Sequence, residues 1–285
     1  MLRLAVLGSS GTYGYRIPRH QTWPAALQAL CRERGHAVEV GNFASPGLPL
    51  AAYAERLAHL RDAWRPHAAL IQLPLYSRTY LGLNGTGRLS EAGGAPWKAF
   101  GWTGPCDATT AVAPTRIHLN RLLAVPGSPF FHLLEPWFYP RVRENNPGAT
   151  WEGFLAFARF WADNVAESEL QHVQHGKEIV LLQLLLERWK LPYLMFDWHG
   201  YNSRRDPALG PFGQEIDFSR YVERGARTAT GFVEALGRDE LFVDGHGHLS
   251  AAGHQALARG FLLPPLLSLI RPPHAKEERD DPVSL

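Results

Sequence analysis

Apolar positions along the chain fall into short continuous runs separated by longer stretches with helical spacing. Residues 2–8, "LRLAVLG", read as a buried strand. "TWPAALQALCRERG" reads as a helix with Thr22 as N-cap, Pro24 in its first turn and Gly35 just past its end. "HAVEVGNF" is a second strand, "LAAYAERLAHLRDAW" a second helix, and "HAALIQLPLY" a third apolar run. Strand, helix, strand, helix, strand at these lengths predicts an α/β fold with a parallel sheet and right-handed crossovers.

The rhythm breaks from about Ser77 to Thr150, a stretch rich in glycine, proline and aromatic residues that includes Trp97, Phe100, Trp102, Phe130, Phe131, Trp137, Phe138 and Tyr139. Loops of that length without structure of their own are uncommon, so the stretch is expected to be an insertion packed as a lid or cap over the sheet edge. The rhythm then resumes. "TWEGFLAFARFWADNVAESEL" and "GKEIVLLQLLLERWK" are predicted helices, the second buried against the sheet around Leu181 to Leu186. Next come strand "PYLMFDW", helix "DFSRYVERGARTATGFVEALG", strand "LFVDG" and helix "SAAGHQALARGFL", which Pro264 and Pro265 are expected to end. The charged tail, about 274–285, is expected to fray. No fixed-period repeat is present.

Composition adds limits. With 285 residues and 45% hydrophobic content, the chain can bury a full core and is expected to form one domain carrying the insertion. Its 29 basic and 27 acidic residues are scattered and leave a net charge of +2, so no footprint for nucleic acid or anionic lipid emerges. The expected partner is a small molecule. Cys31 and Cys106 lie far apart and match no metal-ligand spacing, which fits two incidental thiols or a reducing compartment. The start "MLRLAVLG" lacks a secretory pattern, and no apolar run reaches the ~20 residues of a membrane span, so a cytoplasmic location is expected.

The candidate chemistry begins at "AVLGSSGTYGY", a glycine-rich turn directly after the first strand. A dinucleotide loop would need G-x-G-x-x-G opening a helix. Gly8, Gly11 and Gly14 do not have that spacing, and the helix waits until after Thr22. "VLGSSGTYGYRIP", "TWPAALQAL" and "VEVGNFASPG" instead resemble the opening of the SGNH (GDSL-like) hydrolases. "VDGHGHLSAAGHQALA" resembles that family's last block. The resemblance implies a three-layer α/β/α sandwich of flavodoxin-like type and a Ser-His-Asp triad that cleaves esters through an acyl-enzyme. No cofactor and no metal are implied.

Residue by residue, Ser10 takes the nucleophile's place and Asp244 that of the orienting acid. The family spaces its Asp and His three apart, but position 247 is glycine. His248, just before "LSAAGH" with Ser250 as a plausible N-cap, is the chosen base, with His246 the alternative. A serine hydroxyl needs such partners, because at neutral pH an imidazole must take its proton and a carboxylate must hold the tautomer. Both Ser10 and Asp244 follow predicted strands, at the sheet edge where α/β folds place their sites.

Two departures stand out. Ser9 replaces the family's Asp. The family's Gly-x-Asn, whose amide binds the oxyanion, is replaced by "QLPLYSR", with Tyr76 or Ser77 at the amide's place; Arg78 is adjacent, and Asn84 in "GLN" comes six residues late. Gly47 matches the second block's glycine, so N–H groups of Ser10 and Gly47 remain for a partial oxyanion hole. Losing one such donor typically costs on the order of 10²–10³ in turnover.

The expected function is therefore a serine ester hydrolase for an acylated sugar or a short acyl ester. Deacetylase, esterase and lipase-like activity are not separated, nor is acyl transfer to an acceptor other than water. One alternative is a non-catalytic binding protein on the same fold, motivated by the missing asparagine. Another is a metal-dependent hydrolase using Asp244, His246, His248 and His254. Asp197, His199 and Asn202 in "FDWHGYN" form a further cluster at the sheet edge, read as a solvated loop.

Overall fold

The computed structural model describes residues 1–45, 48–74, 78–82, 116–120, 148–164, 169–199, 207–222, 228–244 and 247–270. Strand β1 (Leu2–Leu7) runs into a single helical turn, α1 (Ser10–Tyr13), before helix α2 (Trp23–Glu33). Strand β2 (Val38–Asn42), helix α3 (Ala51–Ala63) and strand β3 (Ala68–Leu73) follow as expected. Within the insertion, β4 (Arg78–Gly82) pairs antiparallel with β5 (Arg116–Asn120). The eight aromatic residues named for the insertion, and Cys106, lie outside the described residues.

Helices α4 (Trp151–Asn164) and α5 (Glu169–Arg188) lead to strand β6 (Tyr193–Asp197), helix α6 (Ala229–Glu234) and helix α7 (Ala251–Ala256). The last continues through a π-helical stretch, Leu257–Leu262, into α8 (Leu263–Ile270).

The main sheet has the order β2-β1-β3-β6, all parallel. Because successive side chains of a strand point to opposite faces, the buried run of β1 serves two cores at once. Leu4 and Val6 join Trp23, Leu27, Phe261 and Leu266 on one face. Ala5 and Leu7 join Tyr53, Leu57, Ile179 and Leu182 on the other. Helices thus cover both faces, giving the expected three-layer α/β/α sandwich.

Several sequence expectations need correction. "LFVDG" is not a strand among the described residues: Asp239–Leu241 form a 3₁₀ turn, and Phe242 makes one isolated antiparallel bridge with Leu249. Asp244 therefore sits in a tight loop closed on itself by Val243 N–H to His248 O at 2.9 Å. "DFSRYVERGARTATGFVEALG" is not one helix either. The Asp217 carboxylate caps a 3₁₀ turn at Phe218–Arg220, Tyr221 bridges Met195 beside β6, and Thr228 caps a separate start for α6. Side chains that bond nearby backbone compete with a continuous helix, and both caps here do so.

Helix α5 begins seven residues before Gly176, and its apolar surface is only partly covered. Ile179, Leu182 and Leu186 are buried, whereas Leu181 and Leu184 are exposed, so the leucine run is not wholly explained by burial against the sheet. Nor do Pro264 and Pro265 end the final helix. A proline ring clashes with the carbonyl four residues back and supplies no N–H. The preceding π-helical stretch changes the bonding register, with Leu263 N–H reaching Ala258 O. Buried Phe261, Leu262, Leu263 and Leu266 anchor the segment across the change.

Candidate active site

The turn that carries Ser10, α1, is fastened from below by a residue that sequence reasoning missed. Gln72, on β3 and 1% exposed, accepts hydrogen bonds through Oε1 from Ser9 N–H at 2.9 Å and from the Thr12 hydroxyl at 2.8 Å. Its Nε2 donates to Leu73 O at 3.0 Å and lies 3.1 Å from Ser9 Oγ. A buried amide must find partners or lose on the order of 1–3 kcal/mol per orphaned group, so these bonds fix both the glutamine and the turn. Ser9 spends its hydroxyl here, beneath the turn. A lone glutamine in the apolar run "ALIQL" was the available signal.

Ser10 is the first residue of α1, directly beyond the carboxyl end of β1. From the other end of the chain, His248 brings Nε2 to 3.2 Å from Ser10 Oγ. The other ring nitrogen, Nδ1, lies 2.8 Å from Asp244 Oδ2, while His248 N–H donates to Asp244 Oδ1 at 3.2 Å. An ionised carboxylate only accepts, so the proton of a neutral His248 belongs on Nδ1 and the Nε2 lone pair faces the serine hydroxyl. The His248 and Asp244 side chains are 13% and 14% exposed, shielded from bulk water yet not sealed.

Trp198, the residue after β6, touches both halves. Its ring lies against Gly11, where an added Cβ would stand 2.5 Å from the indole. Its Nε1–H donates to Gly247 O at 3.1 Å. The Trp198 carbonyl accepts in turn from Thr230 N–H at 3.1 Å and from the Thr230 hydroxyl at 2.7 Å. Gly247 has φ of 78°, a conformation that strains any residue with a Cβ, and such a Cβ would meet the His199 ring at 2.7 Å. This accounts for a glycine at 247, which places His248 four residues after Asp244. His199 is exposed beside that loop, and Asp197 is buried at the end of β6.

His254 has a different task. Buried in the first turns of the final helix, its Nδ1 accepts the backbone N–H of Trp23 at 3.0 Å, at the start of α2. Burial, and secondarily the charge of His248, push its pKa from 6.5 down to about 3, so it stays neutral. Ser250 caps the same helix as expected, its Oγ accepting from Gly253 N–H at 3.3 Å. Among the described residues no group of three or more His, Cys, Asp or Glu side chains gathers at metal-binding distance. His246, Gly47, Tyr76, Ser77, Asn84 and Asn202 lie outside the described residues, and Arg78 is described only as the first backbone position of β4. Among the described residues no helix is long and apolar enough to cross a membrane.

No family model and no curated protein matches the chain. Among solved structures it is similar to a psychrotrophic esterase EstA from Pseudoalteromonas sp., at 10% identity and a TM-score of 0.46, covering 95% of this chain and 97% of that one. It is also similar to AlinE4, described as an SGNH-hydrolase family esterase, at 17% identity and a TM-score of 0.40 with 90% of each chain covered. A third is Axe2, an acetyl xylan esterase from Geobacillus stearothermophilus, at 13% identity and a TM-score of 0.38, covering 90% of this chain and 91% of that one. The α/β/α architecture and the blocks around Ser10 and His248 make this a chain that resembles the SGNH hydrolases.

Proposed function

We propose that the protein is a serine-dependent ester hydrolase in which Ser10 is the nucleophile, His248 the general base and acid, and Asp244 the orienting carboxylate. One observation carries this reading. Residues 238 positions apart in sequence place a hydroxyl 3.2 Å from an imidazole whose far nitrogen is held 2.8 Å from a carboxylate. Chance packing of a turn serine does not require that second contact, and the acyl-transfer chemistry does.

In the proposed cycle, Ser10 Oγ attacks the ester carbonyl carbon as its proton passes to His248 Nε2. Asp244 stabilises the imidazolium through Nδ1–H. Collapse of the tetrahedral intermediate breaks the bond to the alcohol oxygen, which takes the proton from Nε2. Water then attacks the acyl-enzyme with His248 as base, and Ser10 recovers its proton as the acid leaves. The backbone N–H of Ser10 at the open end of α1 is one oxyanion donor, and that of Gly47 is the second. Tyr76, Ser77 and Asn84 are further candidate donors. The substrate is a small ester, an acylated sugar or a short acyl ester, and neither a cofactor nor a metal has a part in the cycle.

Hydrolysis of 4-nitrophenyl acetate and butyrate tests the reading. The expected result is saturable turnover that drops by 10³-fold or more, on the order expected for loss of a nucleophile, in Ser10→Ala and is untouched by a chelator. Equal activity in Ser10→Ala, or loss on chelation, would overturn it, the second result in favour of the metal-dependent alternative. Tight ester or sugar binding without turnover would favour the binding-protein alternative.

A further inference from the structure

Tyr15 and Arg16, which follow the Gly14 cap of α1, carry a feature that ester cleavage alone does not use. The Tyr15 ring lies against the His248 imidazole, with centroids 4.8 Å apart and planes tilted by 41°. The guanidinium carbon of Arg16 stands 5.1 Å from the centroid of that same Tyr15 ring. An exposed cation is thereby held two ring contacts from the proposed base.

Arg16 occupies this place at a conformational cost. Its φ is 63°, in the left-handed region where a Cβ crowds the backbone and glycine would sit freely. Arg65 and Lys190, just past helix ends elsewhere in the chain, share this conformation, so it points to a role for Arg16 only together with the ring contacts beside His248. A guanidinium over an aromatic ring keeps N–H groups that can donate to an anion in a fork.

Among the described residues no carboxylate pairs with Arg16. Asp244 is taken by His248. The first 32 residues of the chain contain no Asp or Glu at all, while they include Arg3, Arg16, Arg19 and Arg32. Arg19 lies over the ring of Tyr13 in α1, its guanidinium carbon 4.8 Å from the ring centroid. Arg3 and Arg32 lie toward the other end of the sheet, whereas Arg16 and Arg19 flank the turn that carries Ser10, and a local excess of one sign attracts the opposite sign.

We propose that Arg16 is a specificity-determining residue that receives an anionic group, a carboxylate or phosphate, carried by the ester substrate close to its scissile carbonyl. This rests on the serine hydrolase reading above and narrows its substrate class to anionic esters. The anion can belong to the acyl part or to the alcohol part, and matched ester pairs distinguish the two. Mono-4-nitrophenyl succinate against 4-nitrophenyl valerate places the charge on the acyl side. 4-Acetoxybenzoate against phenyl acetate places it on the alcohol side.

For the wild type, kcat/KM should favour the anionic member of at least one pair by about fivefold or more, on the scale of a partly exposed ion pair. In Arg16→Gln and Arg16→Gly that ratio should fall to about one, chiefly through KM, and raising the salt to about 0.5 M should erode it in the wild type. Arg16→Gly should in addition melt at a higher temperature than Arg16→Gln, because it relieves the left-handed strain. That combination of better folding and poorer selectivity is not what a merely structural arginine would give. A wild-type ratio at or below one for both pairs, or an unchanged ratio in Arg16→Gln, overturns the proposal. If neutral esters are still cleaved through Ser10 in that event, only the Arg16 assignment falls; if no ester is cleaved at all, it falls together with the hydrolase reading.

Discussion

Acidification from pH 7 to pH 5 should weaken the fold through His254, and the amount follows from its surroundings. The imidazole is 1% exposed and its Nδ1 holds the Trp23 N–H at the start of α2. Its pKa is about 3 in the folded chain against 6.5 for a solvated histidine. The folded state therefore keeps His254 neutral, while the unfolded chain takes up a proton as the pH falls below about 6.5. Stability from this group is fully present above that pH and is lost as the pH drops toward the folded value, at about 1 kcal/mol per pH unit. Between pH 7 and pH 5 the loss should be about 2 kcal/mol. Urea unfolding at both pH values, in the wild type and in His254→Asn, isolates the effect, since an asparagine oxygen can still accept from Trp23 N–H but does not titrate. The wild type should lose about 2 kcal/mol more than the variant over this interval. An identical pH dependence in both proteins would refute the assignment of a buried neutral histidine at this position.

Asp244→Asn should lower kcat by about 10²- to 10⁴-fold with little change in KM, because it upsets the tautomer on which Ser10 depends; steady-state kinetics with 4-nitrophenyl acetate would show it. Gln72→Met keeps the volume but orphans Ser9 N–H and the Thr12 hydroxyl, so it should cost about 1–3 kcal/mol in urea unfolding and also reduce kcat. Trp198→Phe removes the bond to Gly247 O together with the outer part of the indole that lies against Gly11. A stability loss of about 1 kcal/mol is expected, with a kcat loss larger than that change alone would produce, measured by unfolding and ester kinetics on the same preparation.

Periodicity made much of this architecture legible in advance. The runs around Leu4 and Leu70 are nearly continuous apolar segments of strand length, as a buried parallel sheet demands, while that around Val40 mixes apolar and polar residues, as suits the half-buried edge strand β2. The pairing of Ser10 with the "DGHGH" loop came from resemblance between blocks, since no periodicity connects two ends of a chain. What escaped prediction was local side-chain competition and packing. Asp217 and Thr228 broke a helix that its apolar spacing favoured, and the π-helical stretch carried a helix through two prolines that should have stopped it. Gln72 and Trp198 were passed over because their importance lies in partners far away in sequence, Ser9 for one and Gly11 and Gly247 for the other. The bland reading of "FDWHGYN" as a solvated loop missed that its tryptophan joins the two halves of the site.

The account stands on a hydroxyl from the first loop being activated by an imidazole from the last. Treatment of the protein with a fluorophosphonate, followed by peptide mass mapping, tests this most directly. The account predicts a single adduct, one per chain, on the peptide that contains Ser10, formed at least 10²-fold more slowly in His248→Ala, on the order of a general base's contribution. An adduct on another serine, or labelling of Ser10 at the same rate without His248, would contradict it.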